Sequence, residues 1–323
     1  MRALVTGATG FVGSHLTEAL RRQGDDVTAL ARSARKAEAL APLGVRVVAG
    51  DLHDPAALTR AVEGQDVIYH VAGVVAARGE ADFLTANRDG TANLVAAAER
   101  VGQPRFVLVS SMAAVGPSAK GQPRRGDEPA RPVTAYGRSK LAAERVVTAS
   151  ALPWFIVRPP MVYGPRDPEV LKVFRLVRLG IAPVFGDGSQ ELCAVHGADL
   201  ADALIAVGRC ANTPGRSYYA CHPETFTSAG FVRTIGAVMG RRRLAVVPIP
   251  PSVGRVLLRI TETGARLTGQ PTILTTDKAN EFFQAAWVAS PDQLTRDTGW
   301  RAARDLRTGL AETHQWYRSA GWL

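Results

Sequence analysis

Short apolar runs alternate with longer segments of helical periodicity through the first half of the chain. The runs fall at 3–5, 27–30, 45–48, 67–70, 106–109 and 154–157, and the clearest helical patterns at 84–100 and 136–149. Strands that alternate with helices are typical of successive βαβ units. The pattern therefore predicts an α/β fold built on a doubly wound parallel sheet.

The alternation fades after Pro159. Proline, glycine and short mixed segments dominate 164–188, and a second proline cluster follows at 248–251. Such stretches indicate loops and helices added to the sheet, so we expect a smaller, mixed unit drawn largely from the C-terminal third. Within it, the apolar stretch 244–258 follows the arginines 241–243. A wall over an apolar pocket is favoured there over a segment that touches a membrane surface.

Composition and charge narrow the class of protein. The chain has 323 residues, 46% hydrophobic and 21% charged, which is typical of a soluble globular protein. The net charge is +10, but the 34 arginines and five lysines are spread along the chain. A nucleic-acid partner needs basic residues clustered on one face, so none is predicted.

Cysteine and histidine positions match no common metal site. Cys193, Cys210 and Cys221 have neither zinc nor redox-pair spacing, and the six histidines show no ligand spacing. No run approaches the roughly 20 uncharged residues that span a bilayer, and the glycine-interrupted start of the chain does not match a signal peptide. We therefore expect no metal, no stable membrane span and a cytoplasmic location.

A glycine-rich turn follows the first predicted strand. The segment 6–13 reads TGATGFVG and leads directly into a helical pattern. A dinucleotide needs a tight turn, close approach of the backbone and a helix N-terminus that faces its pyrophosphate. The spacing of Gly7, Gly10 and Gly13 differs from the general Gly-x-Gly-x-x-Gly fingerprint, and a plain strand-to-helix turn is the alternative interpretation.

The end of the second predicted strand bears on cofactor choice. An acidic residue there binds the ribose 2′-hydroxyl of NAD, whereas this chain has Ala31 followed by Arg32. A guanidinium pairs well with a 2′-phosphate, so NADP is favoured over NAD. The alternative is that Arg32 is a solvated surface charge.

Two further strand ends face the same edge of the predicted sheet. Asp51 and Leu52 follow the third strand, where such folds reach the adenine ring, and Val71-Ala72-Gly73 follows the fourth. Small residues let a cofactor lie close to the backbone. Asp51 has an alternative role as a helix cap, for which Asp54 is better placed.

The most specific feature is a tyrosine and a lysine four residues apart. Tyr136 and Lys140 share one face of a predicted helix. An ammonium stabilises a nearby phenolate and so makes the tyrosine a better proton-transfer group. Ser111 follows the fifth strand, at the carboxyl edge where ligands bind in such sheets. These three residues predict a catalytic set.

Together these features resemble the extended short-chain dehydrogenase/reductase superfamily, also called the NAD-dependent epimerase/dehydratase family. The resemblance rests on four further segments: 70–73, 87–91, 158–165 and 195–199. It implies a Rossmann-type dinucleotide-binding domain at 1–163 and 193–222, and a smaller substrate-binding domain at 164–192 and 223–323.

The resemblance also implies residue roles. With the residues already named, the expected cofactor site is Gly7, Thr9, Gly10, Phe11, Val12, Gly13, Arg32, Asp51, Leu52, Val71, Ala72, Gly73, Asn87, Tyr136, Lys140 and Pro160. In the expected mechanism Tyr136 is the general acid for reduction or the base for oxidation. Lys140 would lower its pKa and hold the nicotinamide ribose, and Ser111 would bind the substrate oxygen.

Two positions bear on the substrate class. Relatives that act on nucleotide sugars often carry Asn where this chain has Met161, and Arg where it has Leu192. Losing an amide and a cation removes two groups suited to a diphosphate, which favours an apolar substrate and the 3β-hydroxysteroid dehydrogenase and dihydroflavonol reductase branch. Alternatively, these side chains are plain core, or another arginine such as Arg78 or Arg166 takes over.

We therefore expect an oxidoreductase that moves hydride between a nicotinamide cofactor and a carbonyl or secondary alcohol of a relatively apolar small molecule. NADP is favoured over NAD as that cofactor. A nucleotide-sugar epimerase or dehydratase that holds NAD tightly is the second interpretation. A dinucleotide sensor without catalysis is the third. The resemblance further implies a homodimer.

Overall fold

A parallel sheet organises the molecule and sets the place of every predicted site residue. The computed structural model describes residues 1–126, 128–212, 214–269 and 272–323. Fourteen strands lie within these ranges: β1 (Arg2–Thr6), β2 (Asp26–Ala31), β3 (Arg46–Ala49), β4 (Val67–His70), β5 (Arg105–Val109), β6 (Trp154–Arg158), β7 (Met161–Tyr163), β8 (Ile181–Phe185), β9 (Glu191–Leu192), β10 (Ala194–His196), β11 (Arg216–Tyr219), β12 (Phe226–Thr227), β13 (Ala245–Ile249) and β14 (Ala286–Trp287).

The same ranges contain thirteen α-helices: α1 (Phe11–Arg22), α2 (Ala34–Ala37), α3 (Pro55–Val62), α4 (Glu80–Phe83), α5 (Gly90–Arg100), α6 (Ala135–Thr148), α7 (Pro168–Arg178), α8 (Gly197–Arg209), α9 (Ser228–Val238), α10 (Pro251–Thr268), α11 (Ala279–Phe282), α12 (Asp292–Thr298) and α13 (Leu306–Ser319). Two short 3₁₀ helices span Glu38–Leu43 and Met112–Ala114. A π-helical turn spans Leu84–Asp89 and joins α4 to α5, so the predicted helix 84–100 begins with a wide turn and continues as α5.

Seven strands form the central sheet, in the order β11-β6-β5-β4-β1-β2-β3. Every neighbouring pair is parallel, which confirms the predicted doubly wound α/β fold. The order reverses between β1 and β4, and in such sheets ligands bind beyond the carboxyl ends of the strands at this point.

Two apolar layers cover the sheet. On one face Leu16 and Leu20 of α1 pack with Leu200 and Leu204 of α8. On the other face the helices α3, α5 and α6 supply a second cluster that includes Leu58. Because both faces are covered, the central strands are almost continuously apolar, as expected for a parallel sheet.

The later part of the chain adds three small sheets, β10-β7, β12-β9-β14 and β13-β8. An apolar cluster of its own joins α7, α9 and α13 there. The predicted division into two domains stays a prediction. Asp127, Thr213, Gln270 and Pro271, which fall inside the predicted ranges, lie outside the described residues. No helix in the described ranges is both long and apolar enough to cross a bilayer.

Candidate active site

The glycine turn between β1 and α1 leaves no room for side chains. Gly7 has a φ of +75°, and a Cβ there would lie 2.8 Å from the Ala72 amide nitrogen. A Cβ on Gly13 would collide with the carbonyl oxygen of Gly7. Gly10 directly precedes α1, and no described side chain caps that helix end. The turn thus presents bare backbone and unpaired N–H groups, which suit a pyrophosphate.

A buried hydrogen-bond chain runs behind this turn. Thr6 Oγ1 accepts from the Ala72 amide at 3.2 Å and bonds His70 Nδ1 at 2.7 Å. On the other side of the ring, His70 Nε2 lies 2.9 Å from Thr91 Oγ1, which donates to the Asn87 carbonyl at 2.6 Å. Burial lowers the pKa of His70 to about 3, so the ring is neutral. The Thr91 hydroxyl donates its only proton to the Asn87 carbonyl, so it accepts a hydrogen bond from the ring. The proton of the neutral His70 ring therefore lies on Nε2.

Asn87 in the π-helical turn holds two elements together. Its Oδ1 accepts from the Val74 amide at 2.9 Å, and its Nδ2 donates to the Val74 carbonyl at 3.1 Å and to Ser139 Oγ at 2.9 Å. A Cβ on Gly73 would lie 3.1 Å from Asn87 Oδ1 and 3.6 Å from Lys140 Nζ. Asn87 therefore positions the loop after β4 against α6, and its contact with a cofactor stays a prediction.

The residues predicted at the adenosine side lie at the other end of the sheet edge, where Arg32 is exposed and Asp51 and Leu52 are half-buried. Arg32 directly follows β2, and its exposed side chain has no hydrogen bond or ion pair to the described residues. Asp51 Oδ1 accepts from the His53 amide at 2.7 Å. Asp54 caps α3 by accepting from the Ala57 amide at 3.0 Å. Asp51 is thus not the helix cap.

The predicted catalytic residues come together because α6 packs closely on the segment after β5. Gly137 permits this, since a Cβ there would collide with the Ala113 carbonyl. Ser111 begins the 3₁₀ helix at that point, where its Oγ accepts from the Ala113 amide at 3.1 Å. The Ser111 hydroxyl therefore lies close enough to the Tyr136 phenol to lower its pKa.

The surroundings of Tyr136 keep it protonated. Burial raises the pKa of its phenol to about 12, while the Ser111 hydroxyl lowers it and the Glu281 carboxylate raises it further. Phe83 packs against the ring with a centroid separation of 5.9 Å. A proton on the phenol at neutral pH makes this residue a donor rather than a base in the ligand-free chain.

Lys140 lies one turn further along α6, deeply buried. Its Nζ donates to the Val109 carbonyl at 2.7 Å. Burial lowers its pKa to about 8, against the attraction of the Glu144 carboxylate. Lys140 thus still carries its charge at neutral pH, beside the space that Gly73 leaves open.

Glu144, four residues beyond Lys140, anchors a buried ion pair. Its carboxylate accepts from Arg158 Nε at 2.9 Å and Nη2 at 2.7 Å, and from Ser110 Oγ at 2.5 Å. The two charged side chains are 4% and 13% exposed. The ion pair fixes α6 against the end of β6, and the Ser110 hydrogen bond fixes it against the segment that follows β5.

Three residues from the C-terminal part reach the beginning of α6, and sequence reasoning missed them. Asp277 accepts from the Ala135 amide at 2.8 Å, and Glu281 accepts from Thr134 Oγ1 at 2.6 Å. Lys278 pairs with Glu281 and its Nζ lies 5.3 Å from the centre of the Tyr136 ring. They are separated from α6 by about 140 residues, so no local pattern points to them.

The residues predicted to report on the substrate have mixed surroundings. Met161 is half-buried and packs on the C-terminal apolar cluster, which favours the plain-core alternative for that position. Leu192 in β9 is half-buried between Phe226 and Trp287. Arg166 forms an ion pair with Glu18 on α1. Its charge is therefore already neutralised, which disfavours it as the arginine that would bind a diphosphate.

The parallel sheet, the glycine turn and the helix that carries Tyr136 and Lys140 together define a Rossmann-type enzyme that works with a dinucleotide. The chain belongs to the NAD dependent epimerase/dehydratase family, whose model matches residues 3–220. The predicted membership of the extended short-chain dehydrogenase/reductases is confirmed.

Relatives and solved structures divide between two chemistries. The chain is 34% identical over 321 residues to a ceramide reductase of Caulobacter vibrioides, covering 99% of this chain and 95% of the relative. It is 30% identical over 273 residues to a 2-alkyl-3-oxoalkanoate reductase of Shewanella oneidensis, covering 79% and 68%. The structure of a UDP-glucuronic acid 4-epimerase from Bacillus cereus in complex with NAD superposes with a TM-score of 0.80 at 19% identity, covering 100% of both chains. That last likeness shows the fold alone.

Proposed function

We propose that this chain is an NADP-dependent oxidoreductase that interconverts a ketone and a secondary alcohol on an apolar, alkyl-bearing small molecule. One observation carries the proposal: the protonated Tyr136 phenol lies beside the Ser111 hydroxyl, with Lys140 one helical turn away. The names of the two relatives support a substrate with alkyl chains, since they are described as reductases of ceramide and of 2-alkyl-3-oxoalkanoates.

In the proposed reduction the chain binds and protonates the substrate oxygen. The Ser111 hydroxyl donates a hydrogen bond to the carbonyl oxygen and so stabilises the charge that develops there. Tyr136 gives its phenolic proton to the same oxygen, which becomes the alcohol hydroxyl. The bound cofactor supplies the hydride that forms the new C–H bond. The charged Lys140 favours the tyrosinate left behind, until solvent returns the proton.

The cofactor site proposed for this reaction follows the carboxyl edge of the sheet. The bare glycine turn and the uncapped start of α1 suit the pyrophosphate. Gly73 leaves space beside Lys140 for the nicotinamide half. Arg32 is exposed and available to a 2′-phosphate, which supports NADP. We also propose the domain division at 1–163 with 193–222, because β11 completes the main sheet.

A nucleotide-sugar epimerase with NAD is the second candidate. The matching family model covers NAD dependent epimerases and dehydratases, which supports this candidate. Leu192 counts against it, because an apolar side chain supplies neither a hydrogen bond nor a charge to a diphosphate.

The test is oxidation of NADPH by the purified chain with a 2-alkyl-3-oxo ester as the ketone. Tyr136→Phe should lower kcat by roughly 10²–10⁴-fold, the usual contribution of general acid catalysis. Tyr218→Phe is the matched control, since that hydroxyl bonds Asp297 at the sheet edge and should leave kcat unchanged. Equal activity of the two variants would refute the assigned acid.

Cofactor choice needs its own variant. Arg32→Ala should raise the KM for NADPH by roughly tenfold or more, the worth of one charge-assisted hydrogen bond, and leave the KM for NADH unchanged. Arg60→Ala on α3 is an exposed control. Retained NAD on the purified protein, together with binding of a UDP-sugar, would favour the epimerase.

A further inference from the structure

Helix α10 has one apolar side that the fold uses and another that it leaves in solvent. Gly254 and Leu258 are buried, and a Cβ on Gly254 would lie 3.3 Å from the Phe185 ring. That inner side therefore packs against Phe185 at the end of β8. The outer side carries a row of exposed aliphatic residues: Val253, Val256, Leu257, Ile260 and Leu267.

The outer residues form one stripe. Their spacing of three, four, seven and fourteen residues from Val253 places them on a single face of the helix. They are between 44% and 84% exposed. Isolated exposed aliphatic side chains are ordinary on a protein surface, but a continuous row of helical period marks a face that meets an apolar partner.

A row of arginines lies alongside the stripe. Arg255, Arg259 and Arg266 are spaced by four and seven residues, so they share a second face of the same helix. All three are exposed. Glu262 is the only acidic residue of α10, and it is engaged with Arg266 at 2.5 Å and with Thr276 at 2.7 Å. The exposed surface is thus apolar with a positively charged border.

The sheet that leads into α10 has the same character. Strands β8 and β13 pair in parallel, with Ile181 beside Ala245 and Pro183 beside Val247. These four residues are exposed, and alternate positions on a strand share one face. Three exposed arginines at 241–243 precede β13. Pro250 then connects this second apolar and basic surface directly to α10.

We propose that the outer side of α10 lies on the surface of an anionic lipid bilayer, with the aliphatic stripe among the acyl chains and the arginines at the head groups. A helix with an apolar stripe, a basic border and no free acid is suited to that position. A second copy of the chain fits less well, because it would bring the same arginines to the contact without a free acid to offset them. The protein would then reach apolar substrates at the bilayer surface without spanning it.

Sedimentation of the full-length protein with vesicles tests the proposal. The protein should bind vesicles rich in phosphatidylglycerol, and bind pure phosphatidylcholine more weakly. Val256→Ser with Ile260→Ser should weaken binding by at least about tenfold, given the worth of two inserted aliphatic side chains. Arg255→Gln with Arg259→Gln should weaken binding to anionic vesicles by roughly fivefold for each arginine and reduce its salt dependence.

Matched controls come from exposed residues elsewhere. Val47→Ser on β3 and the pair Arg60→Gln with Arg100→Gln remove the same chemistry from the sheet domain, and should leave vesicle binding unchanged. Urea unfolding midpoints that match the wild type show that the α10 variants are folded. Vesicle binding requires no turnover, so it can be judged even if the proposed reductase activity fails.

Three results would overturn the proposal. The first is a wild-type protein that sediments with neither kind of vesicle. The second is binding that the α10 variants and the controls change equally. The third is a wild-type dimer in light scattering that the α10 variants dissociate, without vesicle binding, which would assign this face to contact between copies of the chain.

Discussion

Replacing Lys140 with methionine should change how the stability of the folded chain depends on pH. The ammonium is buried and bonds the Val109 carbonyl, and its pKa falls from 10.5 to about 8. At neutral pH the folded chain must therefore keep a charge that burial disfavours. The difference between the two pKa values corresponds to about 3 kcal/mol, at 1.36 kcal/mol for each pKa unit.

The sign follows from proton counting. Between about pH 8 and pH 10.5 the unfolded lysine holds its proton and the folded one does not, so the free energy of unfolding rises with pH in this window. From about pH 7 to about pH 9.5 the gain from this residue is about 2 kcal/mol. The methionine of Lys140→Met does not titrate. The other titratable groups are the same in both proteins, so their contributions to the pH dependence cancel in the comparison. Over that pH interval the free energy of unfolding of the wild type should rise by about 2 kcal/mol relative to that of the variant.

Urea unfolding followed by circular dichroism at both pH values measures the difference. At neutral pH the variant should be close to the wild type in stability, since relief from the buried charge offsets the unpaired Val109 carbonyl, worth about 1–3 kcal/mol. A difference between the two proteins that stays constant with pH would refute the reasoning, because the lysine would then have an ordinary pKa. The variant should also lose NADPH oxidation at both pH values.

Three further changes test other parts of the site. Glu144→Ala should lower the free energy of unfolding by about 3–5 kcal/mol, because it leaves Arg158 without its buried partner; Arg138→Ala, which breaks the exposed pair with Glu80, should cost under about 1 kcal/mol in the same urea titration. Glu281→Gln removes a charge that raises the pKa of Tyr136, so the alkaline fall in the rate of reduction should move to lower pH. An unmoved profile would contradict this. Gly73→Ala places a Cβ 3.1 Å from Asn87 Oδ1 and should weaken NADPH binding in calorimetry by about tenfold, while Gly79→Ala, where nothing lies within 4 Å, should not.

Most of the central sheet was predictable because its strands are local apolar runs. Six of its seven strands were expected from the alternation, with each boundary displaced by no more than one residue. The seventh, β11, reads RSYY and arrives after a long insertion. Its pairing with β6 is a long-range event, and neither its polarity nor its position indicates a strand.

The candidate site was predictable where it depends on short motifs. The glycine turn and the tyrosine–lysine helix each lie within a few residues, and the fold brings them to one edge. The contacts of Asp277, Lys278 and Glu281 with α6 depend on tertiary packing. The effect of Glu281 on the phenol is electrostatic and reaches across the fold, which no local pattern encodes.

The contact between the start of α6 and the C-terminal part of the chain, here called the C-terminal lobe (223–323), has an evolutionary consequence. Asp277 and Glu281 bind the first residues of the helix that carries Tyr136, so the lobe proposed to select the substrate also adjusts the acidity of the phenol. A lineage that acquires a new substrate by remodelling this lobe alters its proton chemistry in the same step. On the proposed division of the chain, substrate range and pH preference would therefore change together, and a C-terminal lobe grafted from a relative would carry both.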